Sequence, residues 1–204
     1  MKKLLLVVAL IVAVSASYAQ SIIPKAGLSL SKIHGNDASG TDSKAGLTLG
    51  VGFNLPLGEG AFSIQPELNY IQKGFKASED GGTAKLNLNY LELPVLVKAS
   101  FGDVTKFYVN AGPSIAYGLS GKVSYEEGNM KFSSKVKFGD GDAEDIVYIN
   151  NKIDLGVQFG GGVLIAGKVM VDVRYGLGLT KLSDDTEVKN GGFQFTVGLP
   201  ISLK

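Results

Sequence analysis

The chain has 204 residues, enough for one sizeable domain, and sets 20 Lys and Arg against 19 Asp and Glu, with a single His and no Cys. The missing cysteine excludes disulfides and thiol chemistry, and the near-neutral balance lacks the clustered basic surface that nucleic-acid binding requires. Glycine occupies 28 positions, about twice its usual ~7%, with no fibrous repeat to account for it.

From the N-terminus, Lys2-Lys3 precede an apolar run from Leu4 to Val14 and the small residues of Ser15-Ala-Ser17-Tyr-Ala19. That order reads as a secretory signal peptide over residues 1–19. Its apolar core is too short to span a bilayer, and no other segment nears the roughly 20 apolar residues of a transmembrane helix. Cleavage after Ala19 removes two lysines, leaving 18 basic against 19 acidic residues in the domain 20–204.

Eight stretches then alternate apolar with small polar residues: Pro24 to Lys32, Lys44 to Leu55, Ala61 to Gly74, Lys85 to Ser100, Thr105 to Ser120, Lys152 to Ala166, Lys168 to Leu182, and Gly191 to Leu203. A period of two is that of a β-strand. A soluble sandwich would show water a charged face, whereas here that face is mostly Gly, Ser, Thr, Asn and Gln. Small polar groups opposite a continuous apolar face suit a narrow closed barrel with lipid outside and a packed lumen. A soluble sandwich or lipocalin-like barrel is the other fold that gives such alternation. The connections alternate in length: Pro56 to Gly60, Phe101 to Val104 and Gly167 are tight, while those after strands one, three, five and seven are long. The expected fold is therefore an all-β, eight-stranded antiparallel transmembrane barrel with short periplasmic turns and long extracellular loops. In the longest loop, Gly121 to Asn151, the alternating run Met130 to Phe138 could extend a hairpin above the membrane.

The phase assigns faces. Leu47, Leu49, Val51, Phe53 and Leu55 should face lipid, as should Phe62, Ile64, Leu68 and Tyr70. So should Val169, Val171, Val173, Tyr175, Leu177 and Leu179. In the fourth strand Leu91, Leu93, Val95 and Val97 share the outward phase while Leu86, Leu88 and Tyr90 fit the opposite one, which a bulge near Tyr90 would reconcile. Phe53, Phe62, Phe101 and Phe107 fall toward the short turns, and Tyr70, Tyr117, Phe193 and Phe195 toward the loops, as two aromatic girdles require. Prolines 66, 94 and 113 inside strands mark bulges or weak points.

Five phrases taken together resemble the small outer-membrane β-barrel family of Bacteroidota, the PorT-like or outer-membrane-barrel domain family. They are Lys25-Ala-Gly-Leu-Ser-Leu-Ser31, Gln65-Pro-Glu-Leu-Asn-Tyr70 with Lys73-Gly74, Asn89-Tyr-Leu-Glu-Leu-Pro-Val-Leu-Val-Lys98, Tyr108-Val-Asn-Ala-Gly-Pro113 and Asp172-Val-Arg-Tyr-Gly-Leu-Gly-Leu179. The resemblance implies an eight-stranded barrel in the outer membrane. It carries no catalytic residues over, because the family names a fold rather than one activity.

Several constellations could carry chemistry. The same phase points Glu67, Glu92, Lys98, Asp172 and Arg174 into the lumen. There Arg174 can reach a carboxylate across the barrel, forming either a structural ion-pair plug, a solute-guiding gate or a paired-carboxylate catalyst. The one histidine, His34, lies near Ser29, Ser31 and Asp37, but no triad motif accompanies them. The run Asp140 to Asp145 offers oxygen ligands for calcium without EF-hand spacing. A solvated acidic loop bridged by divalent ions to lipopolysaccharide phosphates is the alternative. Gly160-Gly-Gly162 lies inside a strand with no helix following, so it serves curvature or close packing rather than phosphate binding. The expected role is non-enzymatic and without cofactor: structural, adhesive, or in envelope assembly and secretion support. Its partners would be outer-membrane lipid and lipopolysaccharide, the barrel assembly machinery, and an envelope or host protein. The alternative is a narrow pore or gated channel for ions or a small solute, although eight strands usually leave an interior filled by side chains.

Overall fold

A computed structural model describes residues 21–35, 38–79, 81–139, 141, 146–183 and 187–203. The signal-peptide segment 1–19, Asp37 and the acidic residues Asp140, Asp142, Glu144 and Asp145 lie outside the described residues.

The strands are β1 (Ser21–His34), β2 (Thr41–Pro56), β3 (Phe62–Glu79), β4 (Gly82–Phe101), β5 (Thr105–Glu127), β6 (Met130–Phe138), β7 (Ile146–Ile149), β8 (Ile153–Ile165), β9 (Val169–Lys181), β10 (Lys189–Gly198) and β11 (Ile201–Ser202). Eight of them form a ring, β1-β2-β3-β4-β5-β8-β9-β10, which closes where β10 pairs β1 from Lys25↔Gly198 to His34↔Lys189. Every neighbouring pair in the ring is antiparallel. After Leu199-Pro200 the chain rejoins the wall as β11, with Ser202 opposite Ser21. Closure removes the free edges that would otherwise have to pair with something else.

The wall follows from the period of two. Leu28, Leu47, Leu49, Val97, Val109, Leu155, Phe159, Val173 and Val197 all lie exposed on the outside, while the residues between them are buried inside. Along β5 the outward series runs from Phe107 to Tyr117, and ten steps of about 3.3 Å at a tilt of about 40° rise about 25 Å, the height of a barrel's apolar band. Phe62, Phe101 and Phe107 are exposed at the short-turn end. Phe193 and Phe195 sit mid-wall instead of at the loop end, in an outer stack with Tyr175 and Phe159 whose successive centroids are 4.9 to 6.2 Å apart. Phe53 keeps its outward phase yet is buried, because the register sets it between Ile22 of β1 and the level of Pro66 in β3.

Three register shifts occur, between Ser43 and Thr48, between Asn89 and Tyr90, and between Lys189 and Gly191. None falls at a proline: the register is unchanged on either side of Pro66, Pro94 and Pro113. The shift at Tyr90 does not restore an outward phase. Asn89 pairs Ser120 and Tyr90 pairs Gly118, so the extra residue, Leu119, belongs to β5. Leu88 and Tyr90 stay buried on the inner face and join Ile33, Ile71, Ala116, Val136, Ile149, Leu182 and Val188 in an apolar cap at the loop end.

Above the cap, β5 runs on to Glu127 and returns as β6 through a two-residue turn with Gly128 at φ +54°, the first position that a type II′ turn reserves for glycine. β7 lies parallel to β6 on its far side.

Candidate functional site

The lumen gathers the buried charge. Four cations, Lys25, Lys73, Lys98 and Arg174, and four carboxylates, Glu67, Glu92, Asp154 and Asp172, point inward among the described residues. They divide into two groups. In the lower group the Arg174 guanidinium grips Glu67 with both ends, Nη1 donating to Oε2 at 2.7 Å and Nη2 to Oε1 at 2.8 Å. Lys25 pairs with the same carboxylate, to which Gln65 and Asn69 donate at 2.6 and 3.0 Å. Arg174 Nε lies 2.6 Å from Asp172 Oδ1, an ionic contact out of line for a hydrogen bond. Asp172 Oδ2 accepts instead from Tyr108 at 2.9 Å and Asn110 at 3.1 Å. Lys98 reaches no carboxylate among the described residues; it donates to Gln65 Oε1 at 3.2 Å and lies 4.4 Å over the Tyr108 ring.

In the upper group Lys73 bridges Glu92 at 2.8 Å and Asp154 at 3.1 Å. Gln158 donates to Glu92 at 2.8 Å, and Asn190 to Asp154 at 3.0 Å. The lower group therefore carries three cations against two carboxylates, the upper one against two, and the lumen as a whole is neutral. Such pairing is what makes buried charge tolerable, since an ion left alone in a dry interior costs several kcal/mol.

Glu67, Asp172 and Arg174 thus meet, Lys98 adjoins them, and Glu92 belongs to the other group: the reach of Arg174 ends at Glu67. Sequence reasoning missed Lys25, Lys73 and Asp154, although each carried a usable signal. Lys73 shares its phase with Gln65 and Glu67, Lys25 with Ser29 and Ser31, and Asp154 with Gln158. Glycines make room for the crossing side chains. A Cβ on Gly162 would stand 2.4 Å from the Tyr108 hydroxyl, and one on Gly160 2.9 Å from Arg174 Cγ.

The space left is small. A central void of about 30 Å³, bounded by Ser29, Ser31, Lys73, Glu92, Asp154 and Gln158, holds nothing larger than water. Toward the short-turn end a vestibule of about 410 Å³ reaches Lys98, Lys106, Glu59 and Ser63, and Ile23, Tyr108 and Met170 form an apolar floor there.

The Ser–His pairing is not made. Ser29 donates to Gln72 O at 2.6 Å and Ser31 to Gly74 O at 3.0 Å, reaching across β2 where Gly46 offers no side chain. His34 Nδ1 is buried with no hydrogen-bond partner among the described residues. Among the described residues no group of three or more His, Asp or Glu is placed to hold a metal.

A closed ring of eight antiparallel strands, apolar without and ion-paired within, defines an outer-membrane-type β-barrel. The family described as outer membrane protein beta-barrel domain matches residues 18–184, and the chain belongs to it. Family and fold together indicate an outer-membrane location. No curated protein matches the sequence. Among solved structures, the outer membrane enzyme PagL is similar at 12% identity and a TM-score of 0.51, over 88% of this chain and 99% of that one. Ail of Yersinia pestis is similar at 13% identity and a TM-score of 0.46, over 90% of this chain and 99% of that one. Neisserial surface protein A gives 16% identity and a TM-score of 0.44, over 87% and 96%. At such identities the likeness to PagL concerns the fold alone.

Proposed function

We propose that this protein is a non-enzymatic, non-conducting barrel of the PorT-like, Bacteroidota type, exported by its N-terminal signal peptide. Its work is done outside the lumen, by the rise of β5 to β7, the neighbouring loops or the periplasmic face, in structural, adhesive or envelope-assembly roles. One observation carries this reading: the path through the barrel is interrupted at four levels. An apolar floor, two ion-paired layers around a void of about 30 Å³ and an apolar cap succeed one another. An ion crossing it would have to part buried pairs and shed its water to pass two dry apolar layers.

That Ser29 and Ser31 hold backbone carbonyls rather than His34 supports the absence of acyl-transfer chemistry, which needs a nucleophile within reach of its base. PagL's description as an enzyme is a statement about PagL. The deciding experiment is conductance of the refolded barrel in a planar bilayer. A silent wild type is expected; stable ion-selective steps that change when Glu67, Glu92 or Arg174 is neutralised would replace this reading with transport.

A further inference from the structure

Two strands share one edge of β5. β8 leaves it at Tyr117↔Ile153, and β6 takes it up again at Gly121↔Val136. Between them that edge is held by Gly118 N donating to Lys152 O at 2.8 Å, and the bulge residue Leu119 falls in the same gap. The handover leaves a notch of about 660 Å³ in the outer wall, bounded by Tyr117, Leu119, Lys135, Lys137, Phe138 and Lys152. Among the described residues no carboxylate lines it.

Its height and chemistry go together. Leu119 is 50% exposed and Ile153 on the adjoining strand 43%, which continues the apolar band of Leu91 and Leu155 up to the lower lip. Lys135 and Lys137 occupy alternate positions of β6, on the face opposite the buried Val136, and Lys152 stands at the start of β8. None of these three lysines is in an ion pair among the described residues, whereas Lys85 and Lys131 of the same rise are both taken by Glu126. A soluble acidic partner would gain nothing from a lower lip set in the lipid band. An amphiphile with a phosphate above its acyl chains fits both halves, since cationic side chains at the membrane surface attract anionic headgroups.

We infer that this notch is a binding site for a phosphorylated outer-leaflet lipid, with Lys135, Lys137 and Lys152 donating to its phosphate and its acyl chains lying on Leu119 and Ile153. The inference does not depend on whether the lumen conducts.

The test uses the whole mature chain, residues 20–204, in phosphatidylcholine nanodiscs doped with a few per cent of bisphosphorylated lipid A, with EDTA present throughout. Retained lipid A is counted by native mass spectrometry. Wild type is expected to keep one lipid A per barrel. The triple variant Lys135→Gln, Lys137→Gln, Lys152→Gln should weaken retention about tenfold or more, while Lys85→Gln with Lys131→Gln leaves it unchanged. Lipid A stripped of its phosphates should be retained by wild type no better than intact lipid A is by the triple variant, an arm that needs no mutant to fold. Equal retention in wild type and triple variant, or indifference to the phosphates, overturns the site. Failure of wild type to bind in EDTA overturns direct lysine contact in favour of divalent ions held by the acidic run Asp140 to Asp145. Complete displacement by about 1 mM inorganic phosphate makes it a site for free anions and overturns the lipid.

Discussion

A guanidinium taken out of water is tolerated only where its fork is met, and Arg174 meets Glu67 with both ends while its Nε lies against Asp172. Removing one partner of such a pair strands the other, which costs about 3–5 kcal/mol. Arg174→Met and Glu67→Gln should each lower the stability of the refolded barrel by about that much, read from urea unfolding in detergent. The double variant should cost at least about 1 kcal/mol less than their sum, because residues in one network couple. Arg174→Met combined with Glu92→Gln should instead be additive within about 0.5 kcal/mol, since Glu92 is held by Lys73. Lys73→Met strands two carboxylates, Glu92 and Asp154. Lys98→Met removes a cation that pairs with none, and it should be the milder change of the two in the same assay.

At the level of the element, the glycines and turns decide how closely the strands approach. The β8–β9 turn is closed by Lys168 N donating to Ile165 O at 2.9 Å, with Ala166 at φ +50° and Gly167 at +68°. Positive φ at both central residues is the type I′ arrangement, which suits Asn-Gly far better than Ala-Gly. Ala166→Asn should raise the unfolding midpoint, with a gain of about 0.5–1 kcal/mol. Gly162→Ala should do the reverse, because its Cβ would meet Val171 O at 2.1 Å as well as the Tyr108 hydroxyl. On the β5–β6 rise, outside the membrane, Glu126 accepts from Lys85 at 3.1 Å with Lys131 nearby. These lysines, Lys85 first, hold its carboxyl below the usual carboxylate range. A carboxyl whose folded pKa is depressed stabilises above its unfolded value and loses that contribution as pH falls through the folded one. The protection factors of amides at the tip of this hairpin, exchange rates divided into their intrinsic rates at each pH, should therefore fall as pH drops below the carboxylate range, and the change should shrink in high salt.

For the whole molecule, ring closure and lumen filling act together: eight strands make an interior that side chains can occupy completely. The neutral sum of the two charged groups lets the lumen be dry without leaving a net buried charge. Because the apolar floor and cap seal the barrel independently of the ion pairs, neutralising Glu67 and Arg174 together should leave a folded, heat-modifiable barrel whose bilayer conductance stays near zero. A second expectation concerns the rise. Shortening residues 121–151 should leave the ring and its heat-modifiable migration intact, because β8 pairs β5 only below Gly118.

The barrel itself was legible in the sequence, because alternation is a local property and each strand states its own inner and outer face. The eight stretches, the short connections and the hairpin of Met130 to Phe138 could all be read that way, as could the inward phase of Glu67, Glu92, Lys98, Asp172 and Arg174. The expected long connection after the third strand is instead strand pairing carried on to Glu79↔Gly82, because its residues continue the ladder above the apolar band. The partner of each charge was not legible. Which residues stand level depends on stagger accumulated around eight strands, and a single extra residue such as Leu119 resets it. For that reason Arg174 meets Glu67 and not Glu92, while Lys25, Lys73 and Asp154 complete the lumen unannounced. For the same reason Leu88 and Tyr90, apolar residues in an inward phase, needed no correction by a bulge: only the assembled loop end brings them against Ile33, Val136, Ile149 and Leu182, from strands and loops distant in sequence, to close the barrel over its charges.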